Sequence, residues 1–222
     1  HELVGTFASS LVSSMMLEPL AASCKVGYAR TLTGFKWVSR VPQLIFGYEE
    51  ALGYCVNPDL VGDKDGISSA AMFLEFCAAL KSEGRTAWDV LDELALQFGL
   101  HMSSQVSVRV SNVNQVDVVM QALRQRPPAT LGEMSVRNME DALNGVEGLL
   151  PTNAVIMHLQ HANEDIHARV IVRPSGTEPK IKCYLEVVCQ MPSLSHARNE
   201  GKKLLEGLAS AVRPLLEVGE NS

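Results

Sequence analysis

Hydrophobic positions in the first half of the chain switch repeatedly between a spacing of two and a spacing of three to four, the mark of strands alternating with helices. LVGTFAS predicts a strand and SSMMLEPLAASCK a helix, with Pro19 tolerable only in its first turn, where the missing N–H would go unpaired anyway. ARTLTGFKWV reads as a strand running into a loop, and QLIFGY as a short buried strand ending in EEALGY. After NPDLVGDKDG the spacing predicts a long helix from about Ile67 to Ser82, broken at Glu83-Gly84. Thr86 and Asp89 stand at capping-box spacing ahead of a second helix, which places Trp88, Leu91, Leu94, Ala95 and Phe98 on one face and ends at Gly99.

From about Ser103 the texture changes. SQVSVRVS alternates cleanly as a strand, and NVNQVDVVMQALRQR predicts a helix capped by Asn112 or Asn114. RPPATLG reads as a loop. NAVIMHLQ and IHARVIV flank the polar turn HANEDI as an antiparallel hairpin, and IKCYLEVV adds a third strand. A last helix is predicted from about Ser195 to Arg213, with Leu204, Leu208, Ala211, Val212 and Leu215 at helical spacing. The order of elements predicts an α/β domain over residues 1–102, a mixed sheet with flanking helices, followed by a smaller α+β domain over 103–222.

Composition narrows the class. Of the 222 residues, 46% are hydrophobic and 20% charged, which excludes a disordered or fibrous chain. A net charge of −6 argues against a protein that coats nucleic acid, so an anionic ligand has to be caught by a local basic site. The longest apolar run, MFLEFCAAL, is short of a membrane span and carries a glutamate. Five cysteines with no C-x-x-C pair read as reduced thiols of a cytoplasmic protein. The chain begins with His1 and enters a strand almost at once, which reads as a piece of something longer.

Between two good strands stands RPSGTEPK, residues 173–180, with more hydrogen-bond donors than a turn consumes. Arg173 offers a planar fork suited to phosphate oxygens, Ser175 and Thr177 add hydroxyls, and Gly176 lets backbone amides approach an anion. Pro174 and Pro179 stiffen the loop, and Lys180 and Lys182 raise the local potential. The plainer reading is a rigid connector with surface charge. In FGYEEALG a buried strand ends on Glu49 and Glu50, where ligands of α/β domains collect, although the pair would equally open a solvated helix turn. In DKDG, Asp65 suits a helix cap better than a metal site, and Lys64 places a cation beside the helix start. TLTGFKW is a strand end with a Gly-containing loop. His158, His161 and His167 cluster around the hairpin without the usual spacing of a zinc site.

Taken in order, TLTGFKW, FGYEEALG, DKDGI and RPSGTEPK resemble the C-terminal half of an α-D-phosphohexomutase of the phosphoglucomutase/phosphomannomutase superfamily, nearest to the phosphopentomutase-like and actinobacterial phosphomannomutase branch. The resemblance implies a third, sugar-recognition domain over residues 1–102 and a fourth domain shaped like a TATA-box-binding protein over 103–222. It implies that Arg173, Ser175, Gly176, Thr177 and Lys182 hold a substrate phosphate, that Glu49, Thr33 and Gly34 read sugar hydroxyls, and that Lys64 lies among the catalytic groups. It also implies a phosphosugar substrate and a phosphoryl transfer between C1 and C6, or C5 of a pentose, through a phosphoserine and a bisphosphate intermediate. Magnesium, a glucose 1,6-bisphosphate-type activator and N-terminal domains of the same polypeptide complete the implied machinery. Neither the T-A-S-H-N-P-type serine loop nor the D-x-D-x-D-type magnesium loop occurs in this chain, so no metal site is expected here. A non-catalytic phosphosugar-binding module is the alternative. Ala51 replaces the serine of the commoner Gly-Glu-x-Ser-Gly loop, removing one hydroxyl contact.

Overall fold

The computed structural model describes residues 3–110, 113–146, 148–176 and 178–217. The chain divides into two compact units, His1–Phe98 and Gly99–Ser222.

The first unit is built on a four-stranded sheet of β1 (Thr6–Ser10), β2 (Gly27–Thr31), β3 (Leu44–Glu49) and β4 (Gly53–Cys55), in the order β2-β1-β3-β4. β1 is parallel to both β2 and β3, and β4 closes the far edge antiparallel to β3. The β1-to-β2 connection carries α1 (Leu17–Ser23), with Pro19 in its first turn as the sequence requires. The β2-to-β3 connection carries α2 (Phe35–Val38), a single helical turn in a segment whose pattern predicts only a loop. Its Phe35 and Val38 bury against Ala8, Leu44 and Cys55 to form the core on that side. Gly47 admits this close seating, since a Cβ there would stand 2.7 Å from Val38 Cγ1.

Two longer helices follow, α3 (Gly66–Ser82) and α4 (Ala87–Phe98). Asp65 caps α3 by accepting the Ile67 N–H at 2.9 Å. The capping box at α4 forms as the spacing predicts: Asp89 accepts the Thr86 N–H at 2.7 Å, and Thr86 Oγ1 accepts the Asp89 N–H at 3.3 Å. The apolar face expected for α4 is covered only in part. Trp88 and Leu91 are 75% and 49% exposed, and Ala95 is its one buried residue.

The second unit is a six-stranded antiparallel sheet in the order β5-β10-β9-β8-β7-β6. Its strands are β5 (Leu100–Arg109), β6 (Thr130–Leu131), β7 (Met134–Asp141), β8 (Val155–Gln160), β9 (Ile166–Pro174) and β10 (Lys180–Cys189). Helices α5 (Val113–Gln125) and α6 (Leu194–Leu216) pack on one face. Val116, Val119, Met120 and Leu123 of α5, with Ala197, Leu204, Leu208 and Val212 of α6, meet Cys183, Leu185 and Val187 of β10 in one core. Ser193 caps α6, accepting the His196 N–H. Asn112, one of the caps proposed for α5, lies outside the described residues.

Candidate functional site

In the first unit the parallel strands β1, β2 and β3 end together at Ser10, Thr31 and Glu49. The chain leaves β1 toward β2 and returns past β1 to β3, so the ends of β1 and β3 form a topological switch point, where ligands of open α/β sheets collect. Glu49 closes β3 and its Oε1 accepts the Gly34 N–H at 2.7 Å. Gly34 has a φ of 111°, a conformation that favours glycine, which is why TLTGF needs its glycine there. Thr33 is half-buried in the same loop.

Lys64 joins this group. Its Nζ lies 5.3 Å from the centre of the Phe35 ring and 3.6 Å from Asp63 Oδ1, and its side chain stays half exposed. A Cβ on Gly53 would stand 3.3 Å from Lys64 Cδ and 3.4 Å from both Glu49 Cβ and Phe35 Cδ2. The glycine closing EEALG is therefore the gap that lets the carboxylate and the cation flank one point. The helix turn weighed for Glu49-Glu50 does not form. β3 and β4 pair with Glu49 opposite Gly53, and the chain reverses through Leu52 at a φ of 58°.

A second group underlies the first. Ser10 and Ser13 are 1% and 2% exposed, their hydroxyls lie 2.8 Å apart, and each donates to Glu50 Oε2 at 3.2 Å. Neither serine is singled out by the sequence pattern, although buried hydroxyls demand partners.

DKDG does not suit magnesium. Asp65 Oδ1 is committed to the cap of α3, and Asp63 Oδ1 accepts the Lys64 N–H at 2.7 Å with the Lys64 ammonium beside it. A cation already faces one of the two carboxylates, and the other is engaged in the helix cap.

In the second unit RPSGTEPK joins β9 to β10, two central strands of the sheet. Lys182 pairs in register with Arg173, and Lys180 pairs with Arg109 of β5. Because Lys180 and Lys182 are two apart on one strand, these four cations share one face at the mouth of the loop. Arg109 is the residue that sequence reasoning missed. Its parity with Gln105 and Ser107 was visible, but its place beside Lys180 depends on a register set across seventy residues of chain.

Within the loop the Ser175 N–H donates to the Lys180 carbonyl at 2.8 Å, narrowing its neck. Glu178 is paired with Lys180, whose hydrogen bond and then charge hold the Glu178 carboxyl below its ordinary range. Gly176 is exposed, and a Cβ there would meet nothing within 4 Å. Thr177 lies outside the described residues.

Two of the hairpin histidines, His158 and His161, take separate partners. His158 Nε2 meets Glu140 at 2.7 Å, and His161 Nε2 lies 3.9 Å from Glu133. His167 has its pKa lowered by burial first, then by the positive field of His101. Glu133, His161 and Glu200 bring ligand atoms within 4.8 Å of one another, but Lys203 Nζ already stands 3.0 Å from Glu133 and 3.9 Å from Glu200. Farther along the same sheet, Glu186 is 3% exposed and holds both His101 and Arg169 at 3.0 Å. All five cysteines are free thiols, and burial raises Cys55, Cys183 and Cys189, the last to about 11, which opposes thiolate chemistry.

Comparison with known proteins bears on the family of both units. Residues 2–98 match the model of the phosphoglucomutase/phosphomannomutase α/β/α domain III, and residues 160–193 that of the family's C-terminal domain. A probable phosphomannomutase of Haemophilus influenzae is 43% identical over 182 residues, which is 82% of this chain and 36% of that protein. A Staphylococcus aureus phosphoglucomutase is 29% identical over 195 residues, 81% of this chain and 35% of its own length. The chain thus spans about a third of these relatives. The open form of Paramecium parafusin, a phosphoglucomutase, shares the fold at a TM-score of 0.60 and 19% identity, over 93% of this chain and 38% of that one. A Thermus thermophilus protein described as a phosphomannomutase follows at 0.54 and 22%, over 91% and 36% of the two chains. With its first unit matched almost end to end and its β9–β10 hairpin inside the second match, the chain belongs to the phosphoglucomutase/phosphomannomutase family.

Proposed function

We propose that this chain is the substrate-holding part of a cytoplasmic phosphosugar mutase, an isomerase that moves a phosphoryl group between C1 and C6 of a hexose, or C5 of a pentose. The observation that carries the reading is the gathering of Arg109, Arg173, Lys180 and Lys182 on one sheet face at the mouth of the 174–180 loop, in a chain of net charge −6. A dianionic phosphate is the ligand that such a cluster favours. Arg173 would take two phosphate oxygens through its planar fork, Ser175, Gly176 and Thr177 would add hydroxyl and amide donors, and Lys182 would supply charge.

In the first unit, Glu49 would accept sugar hydroxyls. One of its oxygens is steadied by Gly34, so the carboxylate is oriented before a ligand arrives. Thr33 and Gly34 form the wall that distinguishes one sugar from another. Lys64 beside Glu49 would stabilise negative charge or hold a proton at a sugar oxygen. The phosphoserine, the magnesium ion and the bisphosphate activator would engage domains N-terminal to this chain, and that chemistry is positioning and charge stabilisation throughout.

A calorimetric titration with glucose 1-phosphate, mannose 1-phosphate and ribose 1-phosphate tests the reading. Binding of at least one that is lost in Arg173→Ala is the expected result, and equal affinity in wild type and variant would overturn it. The ranking of the three sugars would identify the preferred substrate class.

A further inference from the structure

Two adjacent carboxylates leave the end of β3, and the proposed function uses only the first. We infer that Glu50 is a positioning residue for Glu49, holding the β3–β4 turn to the β1–α1 loop through Ser10 and Ser13. The inference rests on Glu49 being the sugar-hydroxyl ligand, and it adds a residue and a loop to that site.

The turn needs such a support. Leu52 has a φ of 58°, a costly conformation for a residue with a branched side chain, and it is 82% exposed, so no packing holds it there. Ala51 is exposed as well. Glu50 is the turn residue that reaches inward, and it does so twice. Its N–H donates to Ser13 Oγ at 3.2 Å, and its Oε2 accepts from both Ser10 and Ser13 at 3.2 Å. The Ser13 N–H donates to the Ser10 carbonyl at 3.0 Å, which folds the loop so that both hydroxyls face the same carboxylate oxygen. These hydroxyls are almost fully buried, so a charge-assisted bond to them is worth more than one at the surface. Residue 50 is thereby fixed in both backbone and side chain. Residue 49, one peptide away, is held on the line that brings its Oε1 to the Gly34 N–H.

Hydrogen exchange at the Gly34 amide reads this out in the ligand-free chain, by two-dimensional NMR. Glu50→Ala should speed that exchange about tenfold, the factor carried by one lost charge-assisted hydrogen bond. It should also weaken mannose 1-phosphate binding by a similar factor. Glu50→Gln should restore both, because its amide oxygen can accept from the same hydroxyls. Unchanged Gly34 exchange in a folded Glu50→Ala chain overturns the inference. If that variant does not fold, Ser13→Ala carries the same expectation at smaller size, and its failure to speed Gly34 exchange is equally decisive. The sugar reading fails separately, if Glu49→Ala exposes the Gly34 amide yet leaves phosphosugar affinity intact.

Discussion

Replacing Gly47 by alanine would test the seat on which the β3–β4 turn rests. The added Cβ would stand 2.7 Å from Val38 Cγ1 and 3.4 Å from Cys55 Cβ and Phe35 Cζ. Val38 and Cys55 are 0% and 1% exposed, so neither can swing outward to make room. Overpacking of this kind costs about 1–3 kcal/mol, and the lost freedom of the unfolded chain returns roughly 0.4–1 kcal/mol. The net loss is about 1–2 kcal/mol, which lowers the midpoint of a domain this size by roughly 5–15 °C. Differential scanning calorimetry should show the shift in the transition of the first unit and leave that of the second in place. In a Val38→Ala background the Gly47→Ala penalty should shrink, because the clashing methyl is gone. A penalty equal in both backgrounds would refute the packing of α2 on β3. Gly53→Ala is the milder counterpart. Its nearest contacts are 3.3–3.4 Å, so the melt should barely move while Glu49 and Lys64 shift and phosphosugar affinity falls.

Three further outcomes follow from the second unit. Arg109→Ala should weaken phosphosugar binding roughly threefold at low ionic strength and have little effect at high salt, as an exposed cation acting through its field would; a salt-independent loss in titration would argue for direct ligation instead. Glu186→Leu removes the carboxylate shared by the buried Arg169 and His101, and should cost about 3–5 kcal/mol in urea unfolding; a neutral outcome would mean that apolar packing replaces the pair. His167 is held below its ordinary pKa by burial, then by His101 and His158, against an opposing pull from Glu186. The unfolded chain therefore takes up its proton first, so stability is intact above about pH 6.5 and is lost as pH falls below it. Thermal melts between about pH 7 and about pH 5 should show that slope, and His167→Gln should flatten it.

The long elements were largely legible. α4, α6 and the β8–β9–β10 meander follow from apolar spacing, and the caps Asp65 and Thr86 mark the starts of α3 and α4. Short and irregular pieces were not. α2 is one turn with no room for a period, and β4 is three residues beginning on a glycine. β7 hides its alternation behind Arg137, Glu140 and Asp141 and a register shift between Val136 and Asn138. The site divided along the same line. RPSGTEPK and EEALG announce themselves by composition, whereas Ser10, Ser13 and Arg109 become meaningful only through partners forty or seventy residues away.

Strand β1 is hydrogen-bonded to both β2 and β3, and the loops that meet around Glu49 grow from those three strands. A synthetic peptide spanning β3 and β4 would carry both carboxylates and none of their alignment. The same wiring constrains recombination between related mutases. A crossover placed between Ser14 and Thr31 would hand Ser13 to one parent and Gly34 and Glu50 to the other. Chimeras that exchange the segments around residues 10–14, 31–35 and 47–53 as one cassette should keep the Glu49 and Glu50 contacts intact, while those that split it would have to rebuild them by further substitution.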